Sequence, residues 1–103
     1  MHDAAMKNLD PLLHLQLRLA VMSVLMNLAE ADFVYLREKT ESTAGNLSVQ
    51  LDKLATAGYI EIEKGFVGRK TRTLCRITQQ GRNAFETYVD ALKSYLNTRV
   101  RDK

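Results

Sequence analysis

Between Pro11 and Ala29 the apolar residues fall on two sides of a predicted helix rather than one. Leu13, Leu17, Ala20, Val21, Val24, Leu25 and Leu28 share one side, and Leu12, Leu15, Leu19, Met22 and Met26 the other. Gln16, Ser23 and Asn27 part the stripes along one edge, His14 and Arg18 along the other. Asp10-Pro11 supplies an N-cap followed by a proline at the first helical position, where no amide partner is needed. A helix on the surface of a lone domain needs only one apolar stripe. Two stripes therefore predict burial on both sides. The second side meets either another subunit, the preferred expectation, or the C-terminal helix of the same chain.

Asp32 is placed to cap a short second helix to about Lys39, with Phe33 and Leu36 inward and Val34 a further candidate for that side. Thr40-Glu41-Ser42 is a tight connector. A third helix, capped by Ser42 or Thr43, runs to about Ala57 with Leu47, Leu51 and Leu54 as its core ridge. Gly58 stands where the helix end calls for a positive φ. The period then changes from 3.6 to 2: Tyr59-Ile60-Glu61-Ile62-Glu63 alternates, residues 65–70 hold a turn, and Thr71–Ile77 returns as a strand. That strand buries either Thr73, Cys75 and Ile77 or Leu74. Thr78 caps a last helix over about 79–99, with Phe85, Tyr88/Val89, Leu92 and Tyr95/Leu96 on its apolar side, and Arg99–Lys103 is expected to fray. The order helix, helix, helix, hairpin, helix is mainly α with a small β-hairpin. It is the arrangement of a winged helix-turn-helix in a single domain, residues 1–103.

Charge sharpens this picture. The formal net charge is +3, but four Lys/Arg face six Asp/Glu in residues 1–50 and eleven face six in residues 51–103. The stretch Lys64–Arg76 holds Lys64, Arg69, Lys70, Arg72 and Arg76 with no acid, a cluster that attracts a polyanion or else is a solvated hairpin. No apolar run is long enough to cross a membrane, and the N-terminus with His2, Asp3 and Lys7 does not read as a secretory leader. The lone Cys75 excludes an internal disulfide and suits a reducing cytoplasm, where it is expected as a half-buried strand residue. One cysteine and two separated histidines do not make a metal site from one chain, and no cofactor is implied. Without a nucleophile beside a base, a phosphate-cradling glycine loop or a paired-carboxylate motif, the chain does not read as an enzyme.

Four segments, Leu9–Leu25, Asp32–Lys39, Thr43–Lys64 and Gly65–Phe85, carry a resemblance. GNLS followed by LDKLATAGYI, then FVGRKTRT, then ITQQGR, resembles the small stand-alone winged-helix transcriptional regulators of bacteria and archaea, distant relatives of the MarR and ArsR groups. The resemblance implies sequence-specific binding of double-stranded DNA as a homodimer, with the third helix in the major groove and the hairpin as wing. The cysteine pairs of metal-sensing ArsR relatives are missing.

With the Leu47 ridge inward, Gly45, Asn46, Val49 and Lys53 occupy the opposite face of the third helix, with Ser48 and Gln50 at its edges. Asn and Gln suit adenine and Val49 a thymine methyl, while Thr43 and Ser48 suit phosphates and Gly45 permits close backbone approach. Lys64, Arg69, Lys70 and Arg72 are the wing's candidates for phosphate or minor-groove contact. Leu12, Leu15, Leu19, Met22 and Met26 of the first helix and Tyr88, Leu92, Tyr95 and Leu96 of the last are the candidate dimer surface. His14 is read as a helix-surface or dimer-edge residue, and Arg18 as surface or paired with an acid across the interface. No small-molecule effector is named by the sequence. The competing function is a winged-helix module for protein contact without sequence-specific DNA binding.

Overall fold

A computed structural model describes residues 9–13 and 15–101, with side chains up to residue 97. His14 and the first eight residues, with the readings placed on them, lie outside the described residues. The elements are α1 (Gln16–Leu28), β1 (Glu30–Asp32), α2 (Phe33–Thr40), α3 (Ala44–Thr56), β2 (Ile60–Val67), β3 (Lys70–Ile77) and α4 (Gln79–Arg101). The backbone of α4 is helical to Arg101, past the expected start of fraying, and Asp102 and Lys103 lie outside the described residues.

Asp10-Pro11 starts a turn, not the first helix. Asp10 Oδ1 accepts from the Leu12 amide at 2.9 Å and the Asp10 carbonyl from the Leu13 amide at 3.1 Å. The chain is then extended at Leu15, and α1 begins at Gln16 with no side-chain cap. The turn satisfies the polar groups that an earlier helix start would have used. At the other end Ala29 takes φ 70°, a conformation that favours glycine, and turns the chain into β1.

β1 is an addition to the expected two-stranded hairpin. The sheet is antiparallel in the order β1-β3-β2. Ala31 stands opposite Cys75 and Ile62 opposite Cys75 from the other side, so these residues share the core face of the sheet. The register of β3 thus falls to Thr73, Cys75 and Ile77, of which Cys75 is fully buried rather than half-buried. The hairpin is tighter than its sequence implied: Val67 pairs with Lys70, leaving Gly68 (φ 64°) and Arg69 as a two-residue turn.

The helices start where short polar side chains accept backbone amides. Asp32 Oδ1 takes the Tyr35 amide at 2.8 Å, Thr43 Oγ1 the Asn46 amide at 3.2 Å and Thr78 Oγ1 the Gly81 amide at 2.9 Å. The Thr78 hydroxyl also donates to the Gly58 carbonyl at 2.6 Å, tying the end of α3 to the start of α4. A Cβ on Gly81 would lie 2.1 Å from the Tyr59 carbonyl oxygen, so only glycine lets α4 sit this close to the entry of β2. Leu13, Val21, Met22, Leu25, Leu36, Leu47, Leu54 and Cys75 fill the centre with no exposed surface. Each buried Leu is worth about 1.5–3 kcal/mol of transfer free energy. Leu47, Leu51 and Leu54 therefore anchor α3 by one side and fix which side is left outward.

Candidate nucleic-acid interface

The outward side of α3 carries Gly45, Asn46, Ser48, Val49 and Lys53, all exposed, with Thr43 exposed at the cap. Val49 is an apolar side chain left 50 % exposed on an otherwise polar face, which suits contact with a base edge. A Cβ on Gly45 would meet nothing within 4 Å, so this glycine leaves backbone open at the first turn of the helix.

Gln50 departs from expectation. It is 8 % exposed, the buried polar residue among the described side chains. Its Oε1 accepts from Arg18 Nε at 2.7 Å and its Nε2 donates to Asn46 Oδ1 at 2.9 Å. Both ends of the amide are occupied within the protein, so Gln50 supports the reading face and does not present itself on it. Arg18, assigned to the surface or to an acid across an interface, points into its own protomer. The signal was present in the sequence: a cation between two apolar stripes needs an internal acceptor.

The wing separates its cations into two sets. Arg69 and Lys70 are exposed at its tip, where Phe66 (75 % exposed) and Val67 (60 %) also stand in the open, and Lys64 is exposed further along β2, opposite Thr73. Arg76, opposite Glu30 and Glu61 in register, reaches Glu63 at 2.7 Å, Glu30 at 3.0 Å and Glu61 at 3.8 Å. The hydrogen bonds it donates to Glu63 and then Glu30 raise its already high pKa. Arg72 is exposed, yet its Nε lies 3.6 Å from Asp32 Oδ2. The acid-free stretch of sequence is thus flanked in space by acids from β1 and β2, and its charge is concentrated at the tip. Asp32 joins two functions here, capping α2 with one oxygen and meeting the wing with the other.

The candidate dimer residues divide as well. Leu15 (43 % exposed) and Leu96 (50 %) lie open, and Leu12, Leu19, Met26, Leu92 and Tyr95 are half-buried. Met22 (0 %) and Tyr88 (4 %) are core residues of the single chain and are withdrawn from that surface. The stripes of α1 are separated less cleanly than the helical wheel implied, because β3, α3 and α4 close around it from more than one direction.

Two further side chains have displaced protonation. Tyr59 donates its hydroxyl to Asp10 Oδ2, and this bond, burial and the Asp10 charge push its pKa to about 12. Burial, then the Asp32 charge, pushes the Cys75 thiol to about 11, so it is protonated at neutral pH and not poised for redox chemistry. Among the described residues no group of three His, Cys, Asp or Glu side chains is placed to hold a metal ion, and no helix is long and apolar enough to cross a membrane.

Among the described residues, three helices followed by a two-stranded wing, with an anchored third helix whose polar side is open, define a winged helix-turn-helix protein. The sequence pattern of the winged helix DNA-binding domain family matches residues 17–96, and the chain belongs to that family. An uncharacterised protein of Methanocaldococcus jannaschii is 36% identical over 72 residues, 70% of this chain and 78% of that protein. The fold is similar to that of a transcriptional regulator homologue from Pyrococcus horikoshii, with TM-score 0.82, 24% identity and 91% of each chain covered. It is also similar to BpsR of Bordetella bronchiseptica, whose DNA binding is regulated by 6-hydroxynicotinic acid. There the TM-score is 0.71 and the identity 13%, over 89% of this chain and 69% of that one. The winged-helix fold class expected from the sequence holds.

Proposed function

We propose that the protein is a cytoplasmic, sequence-specific regulator of transcription. It binds duplex DNA as a homodimer, with α3 in the major groove and the β2–β3 wing on the backbone or minor groove. The observation that carries this reading is the outward, solvent-open presentation of Asn46, Val49 and Lys53 beside a wing whose tip bears Arg69 and Lys70. Membership of the winged helix DNA-binding domain family supports it. In the division of labour, Thr43 and Ser48 meet phosphates, Asn46 and Val49 meet base edges, and Lys53, Lys64, Arg69, Lys70 and Arg72 supply charge. The open apolar surface at Leu15 and Leu96, continued by Leu12, Leu19, Met26, Leu92 and Tyr95, is what a second copy would cover. Two-fold symmetry then sets the reading helices about 34 Å apart over an inverted repeat.

The test is selection of bound duplexes from a random pool, with light scattering in parallel. An enriched two-fold motif and a dimeric mass are the expected results. Val49→Ala is expected to change which sequence is enriched. Binding that is indifferent to sequence and vanishes at modest salt, or a monomer at micromolar concentration, would count against the reading.

A further inference from the structure

A directed set of hydrogen bonds runs from the N-terminal turn to the open side of α3. Arg18 Nη1 donates to the Leu12 carbonyl at 3.0 Å, and Arg18 Nε to Gln50 Oε1 at 2.7 Å. Gln50 Nε2 then donates to Asn46 Oδ1 at 2.9 Å. The chemistry of the end groups fixes the direction. A guanidinium has N–H donors and no acceptor, so the Gln50 atom that faces it is the carbonyl oxygen. The NH2 of Gln50 is then turned to Asn46 and requires an acceptor, so Asn46 turns its oxygen inward. An isolated side-chain amide fits density or space equally well either way round. Here the cation at the head of the series removes that freedom, and Gln50, 8 % exposed, is itself largely shielded from water.

The geometry points to Arg18 as a positioning residue for base recognition. Acting through Gln50, it polarises Asn46 so that this side chain offers its NH2 to the outside and is matched by a base edge made of acceptors. The inference rests on the proposed reading that α3 enters the major groove. An Asn that reads adenine uses its oxygen and its NH2 together. With the oxygen held by Gln50, Asn46 is suited instead to guanine, whose major-groove edge carries the acceptors N7 and O6 side by side. Adenine, which sets an amino donor beside N7, matches it less well.

Gln50→Glu in the full chain tests the direction of the series. A carboxylate accepts at both ends, so it keeps Arg18 and compels Asn46 to turn its NH2 inward and its oxygen outward. Selection from a random duplex pool is expected to exchange guanine for cytosine, whose N4 donates, at one position of each half-site. The preference at that position is expected to be about fivefold, as for the loss of one specific base contact. Arg18→Lys, which keeps a donor, is expected to retain guanine, and Arg18→Met to flatten the preference there alone. Thermal unfolding establishes that each variant is folded. A folded Gln50→Glu protein that selects the parent's base at every position overturns the inference.

A second readout needs no DNA. In nitrogen-15 spectra of the free protein, the NH2 protons of Gln50 are expected to exchange slowly with solvent and those of Asn46 quickly, and Gln50→Glu is expected to slow those of Asn46. No change at Asn46 overturns the polarised relay. The expected amide behaviour in a protein that selects no sequence at all supports the relay and places the failure in the proposed DNA reading.

Discussion

Tyr59 and Cys75 hold their protons more tightly in the folded protein than in the unfolded chain, one through a hydrogen bond to Asp10 and one through burial. A group whose folded pKa is raised stabilises the fold fully below its unfolded value, and that stabilisation is lost as pH rises through the folded value. For Cys75 the window runs from 9.0 to about 11, and for Tyr59 from 10.0 to about 12. Stability to denaturant is therefore expected to be level from neutrality to about pH 9 and to fall steeply above it. Tyr59→Phe is expected to lower stability at pH 7, because Asp10 loses a donor, and to remove the upper part of the alkaline decline. Urea unfolding of both proteins across the alkaline range checks this, and parallel declines would show that another group carries the upper titration. The Asp10–Tyr59 contact spans 49 residues of sequence, and nothing local marks it. The capping roles of Asp32, Thr43 and Thr78, by contrast, were legible because a cap acts within three residues of itself.

At the scale of elements, the two helical glycines of the chain answer to different constraints. Gly81 is in the first turn of α4 with its Cα against the Tyr59 backbone, and an added Cβ would fall 2.1 Å from the Tyr59 oxygen. Gly45 is in the first turn of α3 and faces open space. Alanine favours a helix over glycine by about 1 kcal/mol at either place. Gly81→Ala must also push α4 away from β2, an overpacking cost of about 1–3 kcal/mol against backbone that cannot rotate aside. Gly81→Ala is thus expected to lower the melting temperature by several degrees, and Gly45→Ala to leave it unchanged or raise it while weakening DNA binding. Calorimetry and a binding titration on the two variants check both halves. The sequence showed Gly81 only as a weak helix residue; its reason for being there lies in a neighbour that the topology supplies. The same limit hid β1: three residues, Glu30–Asp32, carry no readable period, and the strand exists because Ala29 turns the chain alongside β3. The core ridge of α3 and the alternation of Ile60 and Ile62 were legible because each repeats along its own element. The start of α1 was misplaced because Asp10-Pro11 signals a capped turn and a capped helix with the same two residues.

For the whole molecule the decisive quantity is how much of its positive charge reaches a duplex, and how many copies bring it. By sequence the wing offers five cations from Lys64 to Arg76. In three dimensions Arg76 is committed to Glu30, Glu61 and Glu63 on the outer face of the sheet, and Arg72 lies beside Asp32. Arg69 and Lys70 are left exposed at the tip, and Lys64 further along β2. Each phosphate neutralised contributes about −0.9 to the slope of log affinity against log salt. Arg69→Ala is therefore expected to make that slope shallower by about 0.9 if one protomer occupies the duplex, and by about 1.8 if two do. Arg76→Gln is expected to leave the slope where it was, since its charge is already answered within the protein. Fluorescence anisotropy on one labelled duplex, at five or six salt concentrations, reads all three proteins in the same experiment. A change near 1.8 for Arg69→Ala with none for Arg76→Gln supports both the wing assignment and the homodimer. A change near 0.9 keeps the wing and rejects two copies per site, and a change of equal size for both variants rejects the division of the wing's charge.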